Sequence, residues 1–209
     1  MEEKDRKIFI TIGREFGSGG HKIGQMLADL LGIAYYDNEL ILLAARKGEM
    51  LAEKLERYDE KKTNPFLYEI NYGGNENVTK GKSMEETLFE LQSAVILELA
   101  EQKSAVFVGR CADYVLKKAG YRNVLSVFIS APLDYRIART KAIEELDEKT
   151  VRTMTKKKDA RRRKYYELHT GKKWGAPESY DLFFDSSDFG SLYEVAESLY
   201  QKLLPVKQR

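Results

Sequence analysis

A cluster of glycines with flanking cations joins an apolar run to a helical one: Thr11–Gly24 reads TIGREFGSGGHKIG, after KIFI and before QMLADLLG. Residues without side chains let backbone N–H groups converge on an anion, and the start of a following helix adds partial positive charge. The chemistry on offer is the cradling of phosphate. The loop residues concerned are Arg14, Gly17, Ser18, Gly19, Gly20, His21 and Lys22. The usual phosphate-loop signature is G-x-x-x-x-G-K-S/T. With Gly20 as its second glycine, His21 falls on the lysine and Lys22 on the hydroxyl residue. Starting from Gly13 instead, Gly19 and Gly20 fall there. Neither register fits. Two readings stand: a phosphate cradle charged by Arg14, Lys22 or protonated His21, and a plain strand-to-helix turn.

The second concentration of chemistry is basic. From Val151 to Lys173, ten Lys or Arg stand against two acids, Asp159 and Glu167, in a chain whose net charge is only +2. Lys158, Arg161, Arg162 and Arg163 suit the neutralisation of charge on a transferring phosphoryl group. A solvated helix face is the plainer alternative. A nucleic-acid surface is the third, and the scarcity of aromatic residues before Tyr165 speaks against it. The single cysteine, Cys111, excludes an internal disulfide and Cys-rich zinc sites and reads as a small buried residue. With two histidines, His21 and His169, a His-based metal cluster is not expected.

Such groups need a scaffold. KIFITI, IAYY, SAVFVG, NVLSVFIS and YDLFFDSS read as strands buried on both faces. Ile23, Met26, Leu27, Leu30 and Leu31 recur at helical spacing, as do Leu88, Leu91, Val95, Ile96 and Leu99, and Leu192, Val195, Ala196, Leu199 and Leu203. A further helix is expected from about Pro132 to Leu146. Alternating strands and helices over 209 residues predict one α/β domain with a five-stranded parallel sheet covered on both sides. Two stretches interrupt the rhythm, polar and turn-rich 50–83 and basic 150–178. Both fall at the strand-to-helix edge, where ligands bind in parallel sheets. No apolar run approaches the roughly 20 residues that span a bilayer. The charged N-terminus lacks a signal-peptide core. A soluble, cytoplasmic protein with no membrane partner is expected.

Longer segments then occur in a telling order: ITIGREFGSGGHKIGQMLADLLGIAYYDNELI, VFVGRCADYVL, VFISAPLDYRIAR and KKDARRRKYYELHTGKKWGAPESYDLFFDSS. Together they resemble the cytidylate kinase-like family, a divergent branch of the nucleoside monophosphate kinases, over nearly the whole chain. The resemblance implies a P-loop NTPase-type three-layer α/β fold with an acceptor-binding insertion at 50–83 and a lid at 150–178. It implies ATP as phosphoryl donor with Mg²⁺, and a nucleoside monophosphate or similar small molecule as acceptor.

Site roles follow by position. Arg110 matches the arginine that grips the acceptor, and Asp159 and Arg162 match an Asp-x-x-Arg element of the lid. Arg162, with Arg161 or Arg163, would reach the triphosphate, and Asp159 would orient these arginines or the acceptor. Asp37 and Asp113 fall on the acceptor side, with Asp37 also the candidate metal-associated carboxylate or a helix cap. Departures are equally specific. Tyr36-Asp37-Asn38-Glu39 replaces an Asp-Thr-Gly turn. Val108-Gly109-Arg110-Cys111 replaces Asp-Gly-Arg-Asp. Thr155 replaces a lid arginine. These changes keep open a second reading, a nucleotide-binding regulatory or interaction module without catalysis.

Overall fold

The computed structural model describes residues 7–37 and 84–207, so the expected acceptor-binding stretch at 50–83 lies outside the described residues. In chain order the principal elements are β1 (Phe9–Arg14), α1 (Gly20–Leu31), β2 (Ala34–Tyr36), α2 (Met84–Gln102), β3 (Ala105–Val108) and α3 (Ala112–Lys118). They continue with β4 (Val124–Ser130), α4 (Leu133–Glu144), α5 (Glu148–Thr170), β5 (Leu182–Asp185) and α6 (Leu192–Lys207).

The strands form one parallel sheet in the order β2-β3-β1-β4-β5. Alternation along β1 shows why its sequence is so continuously apolar. Ile10 and Ile12 face a core built with Val106, Val108, Val127 and Ile129, covered by α1 and α6. Phe9 faces the opposite core with Ala105 and Phe107, covered by α2 and α3. Both sides of the sheet are therefore dry, and helices lie on each. Gly32, in the left-handed region, ends α1 where the sequence places a stop.

Two features differ from the sequence expectation. The helix expected to run to Leu146 stops at Glu144, because Glu145 adopts a left-handed backbone (φ 54°). Asp147 then caps a new helix, accepting the Thr150 N–H at 3.0 Å. The basic stretch is itself helical: α5 runs for 23 residues. Its buried positions are Val151, Thr155, Asp159 and Tyr166, only one of them aliphatic, so apolar periodicity barely marks it. Among the described residues no helix is long and apolar enough to cross a membrane. The ends of β1, β3 and β4, the start of α1 and the middle of α5 meet at one edge.

Candidate functional site

The glycine-rich turn leaves β1 at Arg14 and enters α1 at Gly20, with Gly19 left-handed (φ 87°) and no side chain capping the helix. Most of the turn is pinned. The N–H of Glu15 donates to Ile129 O at 3.0 Å, and that of Phe16 to Asp159 Oδ1 at 2.7 Å. The Ser18 hydroxyl donates to Glu15 O at 2.9 Å, and the Ser186 hydroxyl to Ser18 O at 2.8 Å. Ser18 is thus buried and frames the turn with its hydroxyl already engaged. Among the described residues, the N–H groups of Gly17, Gly19, Gly20, His21 and Lys22 meet no acceptor. A rigid bend with five open donors at a helix start fits an anion.

An acidic residue in such a bend needs a cation. Glu15 finds one in Arg136 from α4, 3.3 Å away. Arg136 is 6% exposed and was not a sequence candidate. Its Nε donates to Ala131 O at 2.8 Å, and its Nη1 to Phe16 O at 3.0 Å and to Asp159 Oδ2 at 2.6 Å. Glu15 also accepts the Ala131 N–H at 3.1 Å. Burial pushes the Glu15 carboxyl up, while the Ala131 N–H and Arg136 oppose that shift. Asp159 has one oxygen on Phe16 N and the other on Arg136. This makes it a positioning group that ties α5 to the turn.

The cations sort into two sets. Arg162 donates to Arg14 O at 3.1 Å, and its guanidinium is held below the ordinary arginine value, near 9. Burial is the first cause and the Arg14 charge the second, with Arg110 adding to it and Asp159 and Asp37 opposing. Arg14, Arg110, Arg161, Arg162 and Lys158 line one cavity of about 590 Å³ with the open amides. Lys158 also stands 4.2 Å over the Phe16 ring. Arg163 is diverted, lying 5.7 Å over Trp174 outside that cavity. Lys22 reaches the cavity wall and Gln25 Oε1 at 3.4 Å.

Arg110 sits in a strained bend. Gly109, Arg110 and Cys111 have φ of 81°, 58° and 54° in succession, and the left-handed region costs a non-glycine residue on the order of 1–3 kcal/mol. Asp37, buried at the end of β2, lies 3.3 Å from Arg14 Nη2 and directly against His21 Nδ1, which the Tyr35 hydroxyl also meets at 3.0 Å. The described residues do not fit a directly ligated Mg²⁺. Asp37 is engaged by the side chains of Arg14 and His21, and among the described residues no three His, Cys, Asp or Glu converge.

On the far wall Asp113, buried, accepts the Tyr166 hydroxyl at 2.9 Å, and Tyr166 stacks on Tyr180. Phe128 and Trp174 complete a packed cluster with Cys111. Burial raises the Asp113 carboxyl, opposed by the Tyr166 bond. Burial, then Asp113, pushes the Cys111 thiol well above the usual range. Iodoacetamide at pH 8 is accordingly expected to leave Cys111 unmodified in the native protein and to label it only in denaturant. Mass spectrometry reads this directly, and rapid native labelling would contradict the packing.

Comparisons with known proteins bear on the family and the fold. A family model described as the cytidylate kinase-like family matches residues 9–188. An uncharacterized protein from Eubacterium ventriosum is 27% identical, with a TM-score of 0.67 over 94% of this chain and 98% of its own. Shikimate kinase from Bacteroides thetaiotaomicron is 14% identical (TM-score 0.54, covering 95% and 98%). A gluconokinase from Sinorhizobium meliloti is 12% identical (TM-score 0.56, covering 98% and 95%). These last two share the fold. Comparison with curated proteins finds no match. A five-stranded parallel sheet, and a family match across most of its length, place this chain in the cytidylate kinase-like family.

Proposed function

We propose that the protein transfers the terminal phosphoryl group of ATP to a nucleoside monophosphate or a similar small acceptor. The observation that carries this reading is the meeting of Arg14, Arg110 and Arg162 at one cavity beside five backbone N–H groups that meet no acceptor among the described residues. Like charges held together in a half-buried site are costly, and Arg162 is depressed first by its burial and then by the neighbouring Arg14 charge. A polyanion relieves the repulsion.

In this reading ATP supplies the phosphoryl group and the turn's amides hold its phosphates. Arg162, with Lys158 and Arg161, faces the transferring group from α5, which acts as the lid. Arg110, on its strained bend, grips the acceptor's phosphate, and the Asp113–Tyr166 pair bounds the acceptor's side. Phosphoryl transfer asks the protein chiefly for positioning and charge neutralisation, which these residues can supply without a protein nucleophile. Asp159 and Arg136 hold lid and loop in register.

The test is a phosphotransfer screen with ATP and Mg²⁺ against the nucleoside monophosphates and small hydroxylated acids, alongside ATP affinity. Turnover that Arg110→Ala removes supports the proposal. Tight ATP binding with no turnover on any acceptor favours a regulatory module instead, a reading encouraged by Lys22 at the hydroxyl position of one register. Absence of ATP binding overturns both.

A further inference from the structure

The structure gives a third register for the signature, one that explains where the lysine has gone. Gly19 is the last left-handed residue before α1, and Gly20 opens the helix. With Gly19 as the signature's second glycine, the lysine falls on Gly20 and the first glycine on Arg14. Cation and glycine have changed places.

The geometry shows that this exchange is spatial as well as formal. A Cβ on Gly20 would lie 2.6 Å from Arg14 Cβ and 3.0 Å from its Cγ, so a lysine cannot occupy that helix position while Arg14 is present. The arginine then runs to the end of β3, where a Cβ on Gly109 would lie 2.1 Å from Arg14 Nη1. Two glycines thus keep clear the path of one side chain. Its Nη2 stands 3.3 Å from Asp37, its carbonyl accepts from Arg162, and it lines the cavity with the open amides.

We infer that Arg14 is the cation that grips the triphosphate, delivered from the end of β1 in place of a lysine on α1. This rests on the function proposed above and deepens it. A planar guanidinium with several donors can bridge two phosphate oxygens, whereas an ammonium acts as a point charge. Asp37, which itself meets His21 of α1, holds the group in position from the end of β2.

The experiment measures ATP and AMP affinity by titration calorimetry for wild type, Arg14→Gly, Gly20→Ala and the double exchange Arg14→Gly with Gly20→Lys, each checked by thermal unfolding. Loss of a charge-assisted contact predicts about 10- to 100-fold weaker ATP binding for Arg14→Gly, with AMP changed far less. Gly20→Ala keeps the arginine but displaces it, so it should lose ATP affinity in the same direction even if Arg14→Gly folds poorly. The double exchange rebuilds the signature. With the arginine side chain gone, the nearest remaining atom to the new Cβ is Ile129 Cβ at 3.4 Å, an ordinary contact. It should recover at least half of the lost affinity on a logarithmic scale. A residue that only braced the fold would lower the unfolding temperature without separating ATP from AMP and without rescue. Wild-type ATP binding that both single variants leave intact overturns this inference alone. Wild-type protein that binds neither ATP nor inorganic tripolyphosphate overturns the proposed function and this inference with it.

Discussion

Arg136→Ala is expected to lower the unfolding free energy by about 3–5 kcal/mol, the range for removing one partner of a buried ion pair. For a chain of this size that is a melting-temperature loss of roughly 6–20 °C. The size follows from what is left behind. Glu15 and Asp159 would face each other without their shared cation, and the carbonyls of Phe16 and Ala131 would lose their donors. Arg136→Lys should recover only part, since one ammonium cannot serve four acceptors spread around a planar fork. The pH dependence has a definite sign. Burial already raises Glu15, and removing Arg136 takes away an opposing cause. An acid with a raised folded pKa binds its proton more tightly folded than unfolded, so protonation favours the fold. The deficit of Arg136→Ala should therefore be smaller at pH 5 than at pH 8. Calorimetric melts at both values check it. A variant that melts within 2 °C of wild type would show that the network does not hold the turn.

The second large effect concerns turnover. Arg162→Ala is expected to reduce kcat by about 10²–10³-fold on whatever acceptor the wild type uses, the range for removing one preorganised donor to a developing charge. Arg162 is poised for this by its bond to Arg14 O and by its place on the cavity wall. The loss should fall mainly on kcat, because ATP keeps the amides and Arg14 in the ground state. Steady-state kinetics with saturating ATP separate the two parameters. Activity within threefold of wild type would remove Arg162 from the chemistry.

The sheet was largely legible because its central strands, β1, β3 and β4, are buried on both faces. KIFITI and NVLSVFIS are apolar runs for that reason, and their ends shift by only a residue or two in the structure. The basic helix was harder to read. Of its four buried positions only Val151 is aliphatic, and its inner face is held by Asp159 and Tyr166 through polar bonds. Glu15, Arg136 and Asp159 were illegible as a unit. They lie on three elements far apart in sequence, and an arginine in DYRIAR carries no mark of being buried. The sole hint was the acid in the turn, which required a cation without saying which. The exchange of Arg14 and Gly20 escaped the motif for a similar reason. A sequence signature fixes which residue carries a charge, whereas the cavity is indifferent to the direction from which the charge arrives.

The most direct measurement is a titration of ATP into ¹⁵N-labelled protein, following backbone amide shifts. The largest saturable changes are expected at Gly17, Gly19, Gly20, His21 and Lys22, the donors that meet no acceptor among the described residues. Saturable shifts confined to other surfaces, or no shifts at millimolar ATP, would contradict the claim that this turn holds a polyphosphate.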